Sequence, residues 1–324
     1  MNLEEKINVV KSILKDKKVA ICFSGGADST LLAYLASKVS SDVLAVTIDN
    51  GIFPKDFIQN TQKTADEFNI KHHIINLNFF DNDELVSNSP KRCYYCRNEM
   101  YDYIEKYVLE KDFDFICDGN NISDLVQDRP GILITYSKNF KTPFIEARLT
   151  SSEIHEYLHE NNIHYSKSTT CIATRIRQNK KVTLKEIEKI KKSEEVLSKE
   201  SGCELVKVRD LGDVSICEVN DFSKILNKKS FNAINDSLKS FGYKKVCLNL
   251  TPLDDDDTIV IDYENGKFRY QLPYTINLEN SDTKNISQKI RINKNGLIEG
   301  FDFDSYDDAL TEFMNVLSII KRNV

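Results

Sequence analysis

The pattern of apolar and polar positions alternates between two periods along the first half of the chain. Leu3, Ile7, Val10, Ile13 and Leu14 recur at helical spacing and predict a short amphipathic helix over 3–16. The unbroken apolar run Val19-Ala20-Ile21-Cys22-Phe23 then reads as a strand buried on both faces. A helix-like stretch from Thr30 to Lys38, a second buried strand from Val43 to Ile48, a helix over 55–68 and a third strand from His73 to Leu77 follow. Tyr94 to Leu109 has the period of a helix, and Phe113 to Cys117 that of a fourth strand. Strands alternating with helices imply an α/β fold, a parallel sheet covered on both faces. A helix near 151–161 and a loop from Ser166 to Arg175 lead to a long charged helix from Thr183 to about Lys199. There the pattern changes. Glu204 to Arg209, Asp213 to Val219 and Lys245 to Leu250 read as strands around a helix near 221–240, which suggests a smaller α+β domain. The run Asp254-Asp255-Asp256-Asp257 marks a loop, and strand-like segments near 258–262 and 267–272 precede a helix from Ser305 to Lys321. The expected division is 1–180 for the parallel-sheet domain and 181–324 for the second, with no internal repeat.

With 324 residues, 40% hydrophobic and 29% charged, the chain has an ordinary globular composition and ample length for a core. A formal net charge of −6 weighs against a nucleic-acid partner. The lysines at 180, 181, 185, 189, 191 and 192 alternate with Glu186, Glu188, Glu194 and Glu195, the signature of a solvated helix face. Met1 to Lys6 shows no secretory pattern, and no run approaches the ~20 apolar residues of a membrane helix, so a cytoplasmic protein without a membrane partner is expected. In that compartment eight cysteines read as reduced, metal-bound or catalytic rather than as a disulfide set.

Between the first strand and the next helix lies Ser24-Gly25-Gly26-Ala27-Asp28-Ser29. Glycines allow close backbone approach to a ligand, and the following helix offers free N–H groups and its positive dipole end, so the turn builds an anion site. Ser24 and Ser29 add hydroxyl donors. Asp28 would repel phosphate unless it binds a divalent cation that the phosphates share. The lysine of a Walker A loop is absent. Six matched positions in a strand–turn–helix context favour a phosphate loop over a plain helix N-cap. Ligands of such sheets bind at the carboxyl ends of the strands. The Ser24 turn, Asp49 and the loop Asp118-Gly119-Asn120-Asn121 all fall there.

Cys93-Tyr94-Tyr95-Cys96 opens a helix, and Cys171 sits in Thr169-Thr170-Cys171-Ile172-Ala173-Thr174-Arg175. Cys22 and Cys117 in buried strands, and Cys203, Cys217 and Cys247 in the second domain, read as structural. A C-x-x-C is a redox dithiol, half a zinc site or part of an iron–sulfur site. Structural zinc wants four ligands, and no second pair is present. His72 and His73 are expected on opposite faces of a strand. His155-Glu156-Tyr157-Leu158-His159 matches a zincin motif formally, but lies on a polar helix in a chain that already has a nucleotide loop, and reads as chance. Three thiolates without a fourth suggest a cluster with one open iron. The alternative is that Cys171 acts alone and the C-x-x-C is structural.

The Ser24–Ser29 turn resembles the PP-loop of the ATP pyrophosphatases, which cut ATP between the α and β phosphates. Further stretches are Arg92-Cys93-Tyr94-Tyr95-Cys96, Asp118 to Asp124, Arg129-Pro130-Gly131, Cys171 to Ile176, Val208-Arg209, Gly212-Asp213 with Glu218, and Phe241 to Val246. With these the chain resembles, over about residues 1–250, the LarE family of ATP-dependent sulfur transferases that build the nickel-pincer nucleotide cofactor. Residues 251–324 have no counterpart in that resemblance. It implies ATP, Mg2+ and adenylation of a carboxylate of pyridinium-3,5-biscarboxylate mononucleotide, followed by displacement of AMP by sulfur. One form of the family sacrifices the sulfur of a single cysteine, at the position matched by Cys171. The other holds a [4Fe–4S] cluster on three cysteines, with an extra sulfide on the free iron. All three positions are filled here, by Cys93, Cys96 and Cys171, which favours the cluster form. The resemblance further implies ATP contacts from Ser24, Gly25, Gly26, Asp28, Ser29, Asp49, Gly119 and Asn121. It implies catalytic roles for Cys171, Asp28 and Arg175, with Arg175 neutralising phosphate, and substrate contacts from Arg209 and Glu218. The partners expected are a nucleotide-like small molecule and a sulfide source; a homo-oligomer is compatible with the sequence. Departures from the family pattern at Asn120, at Ser123, near Ile216 and over 177–181 bear on the acceptor more than on the sulfur chemistry. A tRNA thiolase, a glutamine-dependent amidotransferase and a non-catalytic nucleotide or iron–sulfur sensor are the rival readings.

Overall fold

Four parallel strands, β1 (Lys18–Cys22), β2 (Asp42–Asp49), β3 (Lys71–Asn76) and β4 (Phe115–Cys117), form the first sheet in the order β3-β2-β1-β4. The computed structural model describes residues 1–323 apart from Asp128, Pro130, Asn139, Ser168, Thr169, Asp254, Asp255, Asp256, Asp257 and Asn280, and apart from the side chain of Tyr136. The expected acidic loop at 254–257 therefore lies outside the described residues. Val19, Ala20 and Ile21 are fully buried because both faces of the sheet are covered. On one face, the helices Leu3–Leu14, Ala27–Val39 and Ser151–Glu160 supply Ile7, Leu14, Leu31, Leu35, Ile154 and Leu158. On the other, the helix Arg92–Leu109 packs Tyr101, Ile104 and Val108 against Ala20, Leu44 and Val46. β1 has β2 on one side and β4 on the other, so the connections leave it in opposite directions. That switch point opens a crevice beyond the carboxyl ends of β1 and β4.

The second sheet pairs β5 (Val206–Asp210) antiparallel with β6 (Val214–Val219), and β6 parallel with β7 (Lys245–Leu248). The helices Leu184–Ser201 and Lys228–Ser240 cover it with Leu197, Ile234 and Leu238. The third sheet is antiparallel, with β8 (Asp262–Glu264), β9 (Lys267–Gln271), β10 (Thr283–Asn285), β11 (Ile290–Asn293) and β12 (Leu297–Gly300) in the order β10-β11-β12-β9-β8. The helix Tyr306–Leu317 packs on it. The part after residue 250 thus builds its own sheet and does not extend the second one. β10 carried no signal because Thr283, Lys284 and Asn285 are all exposed. β11 alternates correctly, Ile290 and Ile292 inward, but over only four residues. The core of this unit is shared. Phe268, Ile276, Ile298 and Phe313 form one cluster with Ile122, Leu125, Ile132 and Ile145 from the parallel-sheet region. Among the described residues no helix is long and apolar enough to cross a membrane.

The shared cluster has a consequence for unfolding. Phe313 is fully buried, 5.7 Å from the Phe268 ring and 4.8 Å from that of Tyr270. Phe313→Ala should cost about 3–5 kcal/mol. The loss should appear as a shift of the main urea transition followed by tyrosine fluorescence and circular dichroism together. An early separate phase that leaves the main transition in place would mean that the third sheet unfolds by itself.

Candidate active site

The strand–turn–helix at the end of β1 holds its shape through its own polar groups. The Ser24 amide donates to Ser29 Oγ at 3.2 Å, the two hydroxyls lie 3.1 Å apart, and Ser29 Oγ donates to the Gly26 carbonyl at 3.3 Å. Gly25 has φ +72°, a left-handed conformation that L side chains rarely adopt, and a Cβ there would meet Thr61 Cγ2 at 3.2 Å. The helix Ala27–Val39 begins at Gly26 without a side-chain cap, so its first N–H groups face the crevice.

The loop after β4 closes on this turn. A Cβ on Gly119 would lie 3.0 Å from both Asp28 Cβ and the Ser29 amide nitrogen, so only glycine permits the approach. Asn121 ties the two segments together. Its Nδ2 donates to Asp28 Oδ1 at 2.9 Å, its Oδ1 caps the one-turn helix Ile122–Leu125, and its amide donates to Asp124 Oδ2 at 3.0 Å. Asp124 is also paired with Arg129. Burial first, and the Asp124 charge second, push the Asp28 carboxyl up toward neutrality from its ordinary 3.8, against the hydrogen bond from Asn121. Burial likewise raises Asp124, despite Arg129. Two buried carboxylates so placed favour a proton or a cation between them. Beside them, Asp118 accepts from Tyr101 at 2.8 Å, from Thr135 at 2.8 Å and from Arg97 at 3.1 Å, and Arg97 also reaches Asn120 at 3.1 Å.

Asp118, Asn120, Asp124, Arg97 and Arg129 line a cavity of about 350 Å³ that also carries sulfur. Ser24, Asp28, Ser29 and Gly119 share its wall with Cys93, Cys96 and Cys171. Cys93 and Cys96 lie one turn apart at the start of the Arg92–Leu109 helix, which begins two residues earlier than its apolar period suggests. Burial and the neighbouring Cys171 and Cys93 sulfurs push the Cys96 thiol up to about 12. Burial also raises Cys171, with Arg92 opposing it. Arg92 is itself buried, donating to Asn88 Oδ1 at 2.6 Å and to Cys93 Sγ at 3.2 Å. Its burial would lower its pKa, but the sulfurs of Cys171, Cys93 and Cys96 outweigh that and raise it. Asn88 in turn donates to the Ile176 and Arg177 carbonyls, at 3.3 and 3.0 Å, fixing the Cys171 loop against the Arg92 helix. Asn50 and the rings of Phe53, Phe57 and Phe79 also line it, as does Cys22, whose reading as purely structural misses this place.

Of the residues singled out from the sequence, Gly25, Gly26 and Asn121 support the cavity wall without lining it, and Asp49, Arg175, Arg209 and Glu218 sit elsewhere. Asp49 faces a neighbouring pocket with Gly51, Pro54 and Lys191 and accepts from the Gly51 amide at 2.9 Å. Arg175 is buried, its Nε on Glu194 at 2.9 Å and its Nη1 on the Thr170 and Cys171 carbonyls, both at 3.0 Å. In this structure it holds the Cys171 turn from behind and does not line the cavity. Arg209 and Glu218 are paired with each other at 2.8 Å, and Arg209 also donates to the Thr174 carbonyl at 3.2 Å. Asn50, Arg92, Arg97, Asp124 and Arg129 do line the cavity; no site role was read for them from the sequence, although Arg92, Asp124 and Arg129 lie in the stretches that carried the resemblance. His72 bonds Thr47 while His73 stacks on Tyr107, on opposite faces as expected. Among the described residues no three His, Cys, Asp or Glu side chains converge closely enough to hold one metal ion, the His155–His159 pair included.

Residues 1–129 match the family model described as a PP-loop domain. The chain is 31% identical, over 75% of its length and 93% of the relative's, to an uncharacterized protein of Methanocaldococcus jannaschii. It is 23% identical, over 76% of its length and 90% of the relative's, to the pyridinium-3,5-bisthiocarboxylic acid mononucleotide synthase of Lactiplantibacillus plantarum. A tRNA-specific 2-thiouridylase of Fusobacterium nucleatum is 26% identical over only 32% of this chain and 30% of its own.

The raised Asp28 carboxyl carries a pH signature. Its folded value lies above its unfolded one, so its contribution to stability is complete below the unfolded value and is lost as pH rises through the folded value. Without divalent cations, Asp28→Asn should therefore melt above wild type, by a margin that widens from about pH 4.5 to about pH 8. Melting curves in EDTA test this, and a margin that is absent or independent of pH counts against a perturbed Asp28.

Proposed function

We propose, because the chain belongs to the PP-loop family of ATP-using proteins and is a homologue of LarE, that it is an ATP-dependent sulfur transferase which adenylates a carboxylate and replaces the adenylate with sulfur. The observation that carries this reading is that the phosphate-binding turn and the thiols of Cys93, Cys96 and Cys171 line one cavity, Cys22 with them. The acceptor in this reading is pyridinium-3,5-biscarboxylate mononucleotide, on the path to the nickel-pincer cofactor. The tRNA thiolase reading draws on a match to about a third of each chain, and the acidic balance gives it no further support.

The chemistry follows from the positions of the groups. A carboxylate is a poor electrophile. Its oxygen attacks the α-phosphorus of ATP, the bond to the β-phosphate oxygen breaks, and pyrophosphate leaves. The uncapped helix start, Ser24 and Ser29 offer donors to the departing phosphates. Asp28 and Asp124 would hold a Mg2+ that shares their charge with pyrophosphate. Sulfur then attacks the acyl carbon and AMP leaves with the bonding electrons. Arg92, buried against the sulfurs, stabilises negative charge on the side from which sulfur arrives.

Cys93, Cys96 and Cys171 would hold a [4Fe–4S] cluster. The donor set supports this reading, since three soft thiols line one cavity and the Cys93 and Cys171 sulfurs lie near enough to raise the Cys96 thiol. When bound, the cluster would supply a sulfur-delivering centre with one iron free of protein ligands. Arg175 with Glu194, and Arg209 through the Thr174 carbonyl, keep the Cys171 turn in place.

Iron and acid-labile sulfide analysis after anaerobic purification tests the proposal. Wild type should contain about four of each per chain and Cys171→Ala markedly less, while ATP-dependent pyrophosphate release with the carboxylate acceptor survives in both. Iron-free wild type, even after reconstitution, overturns the cluster and leaves Cys171 as a sacrificial donor. Absence of acceptor-dependent pyrophosphate overturns the transferase.

A further inference from the structure

The third sheet and its helix have no part in the reaction as described, yet they touch the site from behind. A quarter of the chain falls outside the alignment with the Methanocaldococcus protein, which itself is covered over 93% of its length. The point of contact is the one-turn helix Ile122–Leu125, which carries Asp124. Four residues are too few for a stable helix, because nucleation costs more than one turn returns. This turn is held at both ends. At the front, the Ile122 amide donates to the Leu149 carbonyl at 2.9 Å, and the Ser151 amide donates to Ser123 Oγ at 3.1 Å. At the back, Ile122 and Leu125 are buried in the cluster formed by the third sheet and its helix, and the Tyr274 hydroxyl donates to the Leu125 carbonyl.

That last bond matters because of what Asp124 must do. Asp28 and Asp124 repel each other when ionised, and the Arg129 pairing and the Asn121 bonds offset this only in part, since both carboxyls remain raised. Asn121 bridges them from the front, donating to each. The Leu125 carbonyl is one of those a helix end leaves without an intrahelical partner, and Tyr274 occupies it from the other side. Leu125 is the next residue after Asp124, so its carbonyl fixes the backbone on which that carboxylate stands.

We infer that Tyr274 is a positioning residue for the cation–nucleotide site, and that the third sheet serves as the buttress which holds Asp124 beside Asp28. The inference rests on the ATP-binding reading above. Tyr274→Phe isolates the hydroxyl, since the ring, with Arg322 at 4.9 Å, keeps its packing. ATP titrations by calorimetry, in Mg2+ and in EDTA, give the needed split. The variant should bind ATP about fivefold more weakly than wild type in Mg2+ and equally in EDTA. Wild-type affinity in Mg2+ overturns the inference, as does an equal loss in both buffers, which would reflect general loosening. If wild type itself binds no ATP in Mg2+, the nucleotide reading fails and the inference falls with it.

Discussion

Two negative charges brought together inside the protein constrain the rest of this site. Asp28 opens the helix after β1 and Asp124 sits on a separate one-turn helix, and both carboxyls are raised chiefly by burial. Such a pair is unfavourable in an empty protein and becomes favourable when a divalent cation and phosphates enter. The surroundings keep the pair in place meanwhile. Gly119 allows the β4 loop to approach the turn so closely that a Cβ there would lie 3.0 Å from Asp28 Cβ, and Asn121 bonds both partners. Asp118 occupies a third, fully bonded position beside them, with Tyr101, Thr135 and Arg97 as donors. A group so completely satisfied is a frame for the loop, whereas Asp28 accepts from the Asn121 side chain and Asp124 from the Asn121 amide and Arg129, and in the proposed function these two carboxylates meet the ligand.

The sulfur side answers the opposite problem, a buried cation. Arg92 is held by the neutral Asn88 and by Cys93, and the sulfurs raise its pKa despite its burial. A buried guanidinium is stable only against negative charge. The cavity thus sets a pair of buried carboxylates and a buried guanidinium in one lining.

The parallel sheet was legible because its strands are long apolar runs, and the turn after β1 because six residues of fixed type sit in sequence. The three cysteines were legible as types, while their convergence was suggested only by resemblance, since Cys171 is far from the C-x-x-C in the chain. Arg175 shows where reading by neighbourhood fails. It lies four residues from Cys171, but the chain turns so that its guanidinium points away, onto Glu194 of the helix Leu184–Ser201. Asp49 and Asn50 show the same effect over one residue. Consecutive positions at a strand end face opposite ways, and Asn50 rather than Asp49 lines the cavity. Asp124 was within the quoted stretch without a role, because nothing in sequence spacing brings it to Asp28. The third sheet was half legible, its β10 being polar throughout.

Each of the three sheets holds a different part of one cavity. The parallel sheet supplies the crevice at its switch point. The second holds the Cys171 turn, through Arg209 on the Thr174 carbonyl and a strand-like pairing of Ile176 with Asp210. The third packs behind Asp124. In the proposed function a metal–phosphate site would tolerate little drift, because two carboxylates must stay in register with a turn on a different element. A sulfur site formed by the start of one helix and a distant turn has the same need. Short loops cannot meet it alone, for one helical turn or one 3-10 turn is barely stable by itself. The flanking sheets provide the missing stability from outside the cavity, through backbone carbonyls and apolar side chains that leave the lining free for substrate.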